Sequence, residues 1–335
     1  MSTLAIQQVK LGFSGLGWIG KSRLQAIQKD TTAIISCVND ESTELSEAIQ
    51  KECGEATRCT SWQELLASEV DGIIIATPSA LHAQQCIEAL EHGKAVFCQK
   101  PLGRDLVETR RVIELAEKKN LLLEVDYSYR YTEAGRKIRE VIHSGEIGEV
   151  FSASLTFHNA YGPDKGWYHD PRLSGGGCLI DLGIHLVDML YWIFEKPVPE
   201  QVCSALYSKG LAFQPGSGQV EDFVAAQLQF NTGLSAALQC SWNLPAGQDA
   251  VIEASFYGSK GGVSMKNLGG SFYDFRTELL KGTQKYSLSE PPDKWGGRAA
   301  VDWAERLTQS KSFDPEIKKT LKVAETIDRI YHRKQ

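Results

Sequence analysis

A glycine-rich turn between a predicted strand and a predicted helix constrains the fold of this chain most. Residues 9–13 read as a buried strand, and Gly15, Gly17 and Gly20 follow at the spacing G-x-G-x-x-G before a helical pattern begins. The first glycine permits a tight turn, the second lets a pyrophosphate approach the backbone, and the third lets helix and strand pack closely. The turn therefore predicts a dinucleotide-binding unit, unless it is a glycine-rich turn that holds no ligand. The other predicted contact residues in the turn are Leu16, Trp18 and Ile19.

An acidic residue follows the second predicted strand, residues 34–38. Asp40 lies about 20 residues after Gly20, where a carboxylate accepts hydrogen bonds from the adenosine ribose hydroxyls. Glu41 adds a negative charge that would repel a 2′-phosphate, and no arginine follows closely. The pattern therefore favours NAD over NADP as the cofactor. The alternative is that Asp40 caps the helix that begins near Ser42.

Strand and helix patterns continue to alternate up to about residue 126. The predicted strands cover residues 72–76, 95–98 and 121–125, and the predicted helices cover residues 61–67, 80–91 and 105–119. The strands are continuous apolar runs, which is typical of parallel strands covered by helices on both faces. We therefore expect an α/β protein whose domain 1–126 is a doubly wound, NAD-binding Rossmann sheet of about six strands.

Two loops in this domain follow strand ends, where ligands bind in open parallel sheets. Lys100 comes directly after a buried strand and is followed by Pro101, so its ammonium is well placed to point at a substrate oxygen. The alternative is a surface lysine at a strand end. The residues of these loops that we predict to contact the cofactor are Ala76, Thr77, Pro78, His82, Gln99 and Lys100.

A second motif places a carboxylate and an imidazole at a spacing suited to proton chemistry. Three glycines, residues 175–177, precede a helical pattern that should begin near Gly177. Glycines without side chains let the backbone approach a ligand closely. Asp181 and His185 then stand four residues apart on one helix face. One alternative is a capped, half-buried helix without a ligand. A metal site is disfavoured because no cysteine or second histidine lies nearby at ligand spacing, so we predict no metal.

Length and composition bound the remaining possibilities. At 335 residues the chain exceeds the size of one hydrophobic core, so two domains are expected. A net charge of -6 without a long basic cluster argues against nucleic-acid and membrane partners. The eight cysteines include no C-x-x-C pair and read as reduced. No leader pattern and no apolar run of about 18 residues or more is present, so a cytoplasmic protein is expected.

The second half, domain 127–335, has the pattern of an open antiparallel sheet. Alternating runs at 150–157, 202–207, 223–231, 234–242 and 251–257 predict strands, and residues 313–333 predict a final helix. Too few helices are predicted to cover both faces of this sheet, so we expect a homo-oligomer, a dimer or tetramer. Aromatic and polar side chains near the strand ends suit a polyhydroxylated ring. They are Tyr129, Arg130, His158, Asn159, Tyr161, Trp167 and Tyr168.

Taken together, the glycine turn, the two strand-end loops and the Asp181–His185 helix resemble the Gfo/Idh/MocA family. The resemblance implies a Rossmann domain followed by an α/β domain whose open sheet serves oligomer contacts and substrate binding. It also implies that Lys100, Asp181 and His185 form the catalytic group. One departure is visible, because the family commonly has Glu-Lys-Pro where this chain has Gln99-Lys100-Pro101. The change removes a carboxylate that would stabilise the ammonium of Lys100.

The resulting hypothesis is an NAD-dependent dehydrogenase or reductase acting on a secondary alcohol of a sugar, cyclitol or sugar derivative. His185 would be the general base, Lys100 would stabilise the developing alkoxide, and Asp181 would position the substrate. Two alternatives stay open. One is an enzyme that cleaves glycosides through transient oxidation and elimination, and the other is a non-catalytic sensor of sugars or dinucleotides.

Overall fold

The computed structural model describes residues 8–54, 56–195, 198–214 and 216–333, which form two compact units. The first contains the described part of Met1–Ser128 together with Gly296–Lys318. The second contains the described part of Tyr129–Trp295 together with Lys319–Gln335. The units divide after Ser128, whereas the expected division was at residue 126, and residues 296–318 return to the first unit.

The first unit has a parallel sheet of six strands in the order β3-β2-β1-β4-β5-β6. This order reverses at β1, as expected for a doubly wound fold. The strands are β1 (Lys10–Ser14), β2 (Ile34–Asn39), β3 (Thr57–Arg58), β4 (Gly72–Ile75), β5 (Ala95–Cys98) and β6 (Leu123–Val125). The expected Rossmann sheet is confirmed.

Five helices connect these strands, and polar side chains define where three of them begin. Ser42, Ser61 and Asp105 each accept a hydrogen bond from a backbone amide in the first turn, which satisfies a donor that has no partner within the helix. The helices are α1 (Trp18–Asp30), α2 (Thr43–Cys53), α3 (Trp62–Ala67), α4 (Ser79–Glu91) and α5 (Leu106–Lys119).

The second unit has a sheet of nine strands in the order β15-β14-β13-β12-β7-β11-β10-β8-β9. Its neighbours are antiparallel except for β7 and β11, which are parallel. The predicted open, mostly antiparallel sheet is thus confirmed, although the alternation did not reveal β9 and β13–β15. The strands are β7 (Val150–Asn159), β8 (Gln201–Ser208), β9 (Leu211–Ala212), β10 (Phe223–Gln229), β11 (Ser235–Ser241), β12 (Ala250–Gly258), β13 (Gly261–Asn267), β14 (Phe275–Lys281) and β15 (Gln284–Ser289).

The remaining helices divide between the units. Helix α9 belongs to the first, where Trp303 packs against Phe97 of β5 with ring centroids 5.7 Å apart. The final helix is shorter than predicted, because Pro315–Lys318 forms a separate 3₁₀ turn in the first unit. The helices are α6 (Glu133–His143), α7 (Pro171–Ser174), α8 (Ile184–Ile193), α9 (Arg298–Gln309) and α10 (Lys319–Ile330), with a π-helical turn at Leu179–Gly183.

The helices of the second unit pack against one face of its sheet. Helix α6 lies against β13–β15, α8 against β7 and α10 against β8. Strand β7 places Ala153, Leu155 and Phe157 on this covered face, where all three are buried. The opposite face carries small or polar side chains such as Ser154 and Thr156. One sheet face is therefore covered by helices within the chain.

The segment Pro171–Ile193 is the apolar core of the second unit. By length and composition alone it could cross a membrane, but 83% of its most apolar window is buried inside the protein. A membrane span would instead turn its apolar side chains toward lipid. The segment is therefore a core helix, and it carries Asp181 and His185.

Candidate active site

The glycine turn of the first unit is closely packed against the loop that follows β4. Gly15 has a φ of +88°, and a Cβ at this position would lie 2.5 Å from the backbone carbonyl of Ala76. A Cβ at Gly20 would lie 2.0 Å from the carbonyl oxygen of Gly15. Only glycine fits at both positions. Helix α1 begins directly after Gly17 without an acidic residue in its first turn, so nothing there opposes a pyrophosphate.

Asp40 joins the end of β2 to this turn. Its Oδ2 atom accepts a 2.6 Å hydrogen bond from the Leu16 amide, and its Oδ1 atom accepts one of 2.8 Å from the Ser42 amide. The α2 cap is supplied by Ser42, whose hydroxyl accepts a hydrogen bond from the Leu45 amide. Asp40 is therefore not the helix cap, and its half-buried carboxylate lies beside the glycine turn.

His82 links the two strand-end loops of the first unit. Its ring nitrogens lie 2.7 Å from the carbonyl oxygens of Thr77 and Pro101, and the side chain is buried. Burial lowers the pKa of His82 and favours the neutral ring, although both carbonyls act in the opposite direction. His82 therefore ties the loop after β4 to the loop after β5 through two backbone carbonyls.

A buried ionic network lies behind the loop that contains Lys100. The Asp126 carboxylate accepts hydrogen bonds from Arg23 Nε at 2.6 Å, from Ser128 Oγ at 2.6 Å and from Gln99 Nε2. Arg23 Nη2 also donates to Ser128 Oγ at 3.0 Å. We did not predict Arg23 or Asp126 from the sequence, because no local pattern shows that helix α1 reaches the end of β6.

In the second unit, Gly176 and Gly177 are closely packed against other residues of the same chain. A Cβ at Gly177 would lie 1.8 Å from the carbonyl oxygen of Glu221, and a Cβ at Gly176 would lie 2.1 Å from the hydroxyl of Tyr331. The prediction that these glycines let the backbone approach a ligand is therefore wrong for Gly176 and Gly177. Their conformations serve internal packing.

Glu221 satisfies the amides at the start of the helix that follows. Its buried carboxylate accepts hydrogen bonds from the Gly177 amide at 3.0 Å, from the Leu179 amide at 2.9 Å and from the Tyr331 hydroxyl at 2.8 Å. Burial raises the pKa of Glu221, and these hydrogen bonds partly offset that rise. Sequence reasoning missed Glu221, which lies more than 40 residues from the helix that it caps.

The helix begins with a π-helical turn at Leu179–Gly183, before the regular helix α8. Asp181 lies in the wide turn, and His185 lies in the first turn of α8. A π turn holds more residues than an α turn, so side chains four residues apart lie more nearly in line than the predicted α-helix would place them. Gly183 permits this arrangement, because a Cβ there would lie 2.9 Å from Cys240 Sγ.

Aromatic side chains surround Asp181. The indole Nε1 of Trp242 donates a 3.1 Å hydrogen bond to Asp181 Oδ2, and the ring of Tyr168 meets that indole edge-on at 6.3 Å. Trp167 stacks on Tyr168 at 3.7 Å. The pKa of the Tyr168 hydroxyl is raised, first by burial and second by the charge of Asp181. Sequence reasoning missed Trp242, which directly follows β11 and looked like the last residue of a core strand.

His185 lies among aromatic rings of the second unit. The ring of Tyr129 meets its imidazole edge-on at 4.9 Å, and Phe157 of β7 is 6.5 Å away. Trp295, at 5.4 Å, supports the other side of Tyr129. The pKa of the Tyr129 hydroxyl is raised, mainly by burial and further by the charges of Tyr273 and Asp181. Tyr129, Asp181 and His185 therefore form one neighbourhood.

The structure gives two other predicted substrate residues, Arg130 and His158, hydrogen-bond partners within the protein. Arg130 donates two hydrogen bonds to the buried carboxylate of Asp188, so its guanidinium is committed to a structural ion pair. His158 lies on the sheet face opposite to Phe157, where its Nδ1 atom is 2.8 Å from Ser241 Oγ. Successive side chains of a strand point to opposite faces, so the histidine and the site cannot share one face.

Asn159 and Tyr161 lie near the end of β7. Asn159 returns to the face that carries Phe157, and its buried Oδ1 atom accepts no hydrogen bond from the residues that the structure describes. Tyr161 is 51% exposed and lies 6.3 Å from the ring of Phe272. Of the two, the asparagine has the unsatisfied acceptor that a ligand hydroxyl would fill.

The described residues contain no group of three or more histidine, cysteine or acidic side chains that could hold a metal ion. The thiol of Cys178, beside the π turn, lies 3.9 Å from the thiol of Cys240. Burial and the neighbouring thiol raise the pKa of Cys178. Because the thiolate is the nucleophile, this cysteine is an unreactive core residue.

The comparisons with known proteins agree with this geometry. Residues 9–127 match an oxidoreductase family with an NAD-binding Rossmann fold, GFO/IDH/MocA, and residues 136–264 match the GFO/IDH/MocA C-terminal domain. Inositol 2-dehydrogenase of Rhizobium meliloti is 30% identical over 261 residues, which cover 77% of this chain and 76% of that protein. Levoglucosan dehydrogenase of Pseudarthrobacter phenanthrenivorans is 24% identical over 322 residues, which cover 88% of this chain and 80% of that protein.

The fold is also found among solved structures. A levoglucosan dehydrogenase in complex with NADH and levoglucosan aligns with a TM-score of 0.83 and covers 97% of both chains. Its sequence identity to this chain is 20%, so the likeness concerns the fold.

We predict that Glu221→Gln changes the pH dependence of stability. Burial raises the pKa of Glu221, so the folded protein holds this proton more tightly than the unfolded chain does. The group therefore favours folding at low pH, and this contribution is lost as the pH rises through the folded-state pKa. A glutamine cannot ionise, so the free energy of unfolding should fall less in the variant than in the wild type as the pH rises from the ordinary pKa of a glutamate, about 4.3, toward neutrality.

Urea denaturation across that pH range measures the effect. Asp222→Asn is the matched control, because it removes a carboxylate from the next, half-buried position, which lies outside the helix cap. The control should follow the wild-type pH dependence. The same slope in Glu221→Gln and the wild type would contradict a raised pKa for this carboxyl.

Proposed function

Because this chain belongs to the GFO/IDH/MocA family of oxidoreductases with an NAD-binding Rossmann fold, we propose that it transfers hydride between NAD and a secondary alcohol of a neutral sugar, cyclitol or sugar derivative. The observation that carries this proposal is the aromatic neighbourhood of Asp181 and His185. Aromatic faces suit the C–H surface of a sugar ring, and a few polar groups orient its hydroxyls. The names of the two relatives, which are dehydrogenases of inositol and levoglucosan, support the same class of substrate.

The charges near Asp181 support a neutral substrate. Burial first, and then the charges of Asp181 and Asp164, raise the pKa of Tyr168, so the charges that act on this ring are negative. The nearby guanidinium of Arg130 is held by Asp188. A carboxylate or phosphate on the substrate would meet this negative field in a partly dehydrated place, which is costly. Hydroxyl groups avoid that cost.

We assign the proton chemistry to His185. A neutral imidazole ring can accept a hydroxyl proton as a general base. Asp181, held by the Trp242 indole, would bind and orient the substrate. Lys100 would stabilise the alkoxide as it develops, in the way that a fixed cation lowers the energy of a charged transition state. Bound NAD supplies the hydride acceptor at the same carbon.

The glycine turn, the Asp40 carboxylate and the loop residues Thr77 and Pro78 are the proposed NAD ligands. Backbone atoms leave no room for a side chain at Gly15 or Gly20, as expected for the tight turn and the close helix packing of a dinucleotide-binding motif. Asp40 lies at the end of β2, and its Oδ2 atom contacts the turn through Leu16. A ribose would therefore meet a carboxylate beside the phosphate site.

We also propose that the chain assembles into a homo-oligomer, a dimer or tetramer, through the open face of the sheet in the second unit. On that face the rings of His158 and Phe223 stack at 6.0 Å and 11°, next to Tyr207. His158 is buried and Phe223 is half-buried, while the neighbouring side chains are small or polar. A flat face of this kind can pack against a second sheet.

We further propose a cytoplasmic location. All eight cysteines are free thiols, although the pair Cys178 and Cys240 lies close together. Free thiols persist in a reducing compartment, whereas secreted proteins usually oxidise such pairs.

We predict that NAD binds at least about tenfold more tightly than NADP, which is about 1.4 kcal/mol. The Asp40 carboxylate accepts hydrogen bonds from ribose hydroxyls and repels a 2′-phosphate. Calorimetric titration of both cofactors measures the preference. Asp40→Asn removes the charge but keeps an acceptor for the Leu16 amide, so it should narrow the preference. Equal affinities of the wild type for NAD and NADP would mean that Asp40 only contacts Leu16 and Ser42 and does not select the cofactor.

We predict that His185→Ala lowers turnover by about two to four orders of magnitude while NAD affinity stays nearly unchanged. Turnover is first established with a panel of neutral sugars, cyclitols and uronates, among which the neutral compounds should react faster. Lys100→Met should slow the same step, and the two losses should be less than additive because both groups serve one transition state.

The control for this test is His158→Ala, which removes a histidine from the opposite face of the same sheet. It should retain turnover if the fold is intact by thermal melting. A folded His185→Ala protein with near-normal turnover would rule out the histidine as general base. Turnover of uronates alone would contradict the neutral substrate.

We predict a mass in solution of at least twice 37.0 kDa. Burying the open sheet face requires a second copy, since the helices of this unit pack on the other face. Light scattering at micromolar concentration measures the mass. Phe223→Glu, in the centre of the aromatic cluster, should shift the protein toward monomers. A wild-type monomer would contradict the assembly.

A further inference from the structure

The network of Arg23, Gln99, Asp126 and Ser128 carries a further inference about Lys100. Gln99 directly precedes Lys100 at the end of β5, and Asp126 directly follows β6, the neighbouring parallel strand. All four side chains are buried, with exposures of 6% for Arg23, 9% for Gln99, 1% for Asp126 and 8% for Ser128. The network therefore fixes the strand end from which Lys100 projects.

The hydrogen bonds of the network converge on the carboxylate of Asp126, where each one pairs a donor with an acceptor oxygen. Asp126 accepts from the guanidinium of Arg23, the hydroxyl of Ser128 and the amide of Gln99. The Gln99 Nε2 group can only donate, so it suits an ionised Asp126. One negative charge is thus balanced by one positive charge in a place that excludes water.

A glutamate at position 99 would not fit this network. It would place two carboxylates within hydrogen-bond distance of each other in a buried place, and such a pair takes up a proton because both cannot stay ionised. Gln99 and Asp126 are therefore complementary. Where the motif reads Glu-Lys-Pro, the negative charge lies on the residue before the lysine. In this chain that residue is the neutral Gln99, and the negative charge lies on Asp126.

We propose that Asp126, paired with Arg23, is a positioning residue that orients Gln99 and sets the electrostatic surroundings of Lys100. This inference rests on the proposed role of Lys100. The charge of Lys100 already acts on the buried ring of His82, which shows that it is felt inside this unit. A carboxylate on residue 99 would stand next to Lys100 in the chain, whereas a carboxylate on residue 126 acts on it through Gln99.

The test exchanges the charge between the two positions. Gln99→Glu adds a second carboxylate, Asp126→Asn removes the first, and the double variant restores one carboxylate and one amide opposite Arg23. The pH dependence of Lys100 acetylation, followed by mass spectrometry on the full-length protein, reports the Lys100 pKa without requiring turnover. Kinetics against pH report the same group in the active enzyme.

We expect Asp126→Asn to move the Lys100 acetylation profile downward by about one pH unit, because it removes the one negative charge of the network that stabilises the ammonium. It should also lower kcat about tenfold or more, with a smaller effect on the KM for NAD. The double variant should recover the melting temperature and most of kcat. Ser128→Ala is the matched control, because it removes one hydrogen bond to Asp126 without changing the charge and should leave the acetylation profile in place.

Two results would overturn the inference. In one, the double variant is no better than the poorer single variant in melting temperature and kcat. In the other, stability recovers but the acetylation profile is the same in every variant, so that the network is only a tether between strands. If Gln99→Glu does not fold, Asp126→Asn should still move the Lys100 profile, and an unmoved profile would count against the inference.

These readouts separate the inference from the proposed function. A wild-type protein that reduces NAD with no member of the substrate panel contradicts the proposed function, while the acetylation profiles still decide the role of Asp126. An active wild type with unchanged profiles contradicts the inference alone.

Discussion

The buried carboxylate of Glu221 is the interaction on which the helix that carries Asp181 and His185 depends. A helix start leaves backbone amides without partners, and burying them unpaired is costly. Glu221 satisfies two of these amides, at Gly177 and Leu179, and Tyr331 in turn satisfies the carboxylate. Position 177 must be a glycine because a side chain there would collide with Glu221 itself. The direction of the helix, and so the placement of His185, is set by residues far away in the sequence.

Much of the fold could be predicted from local sequence. The strand, glycine turn and helix around Gly15 are short-range features with a specific periodicity, and the apolar runs identify buried parallel strands. The alternating runs of the second half identified the central antiparallel strands for the same reason. The return of α9 to the first unit could not be read locally, because its evidence is the packing of Trp303 on Phe97.

The candidate site shows the same limit more sharply. The spacing of Asp181 and His185 was visible in the sequence, but the π turn at Leu179–Gly183 was not. Trp242 looked like a core residue until its indole was found on Asp181. His158 has a side chain that suits a sugar-binding site, yet strand alternation places it on the sheet face opposite to Phe157. Pattern identifies chemical candidates, and tertiary contacts select among them.

The central claim is that hydride passes directly from a carbon of a neutral sugar or cyclitol to NAD. The most direct measurement uses a substrate with deuterium at the carbon that is oxidised, followed by mass spectrometry of the NADH produced. Each NADH formed should carry one deuterium, and an equal amount of ketone should appear. Sugar conversion without net NADH, or NADH without deuterium, would contradict the claim.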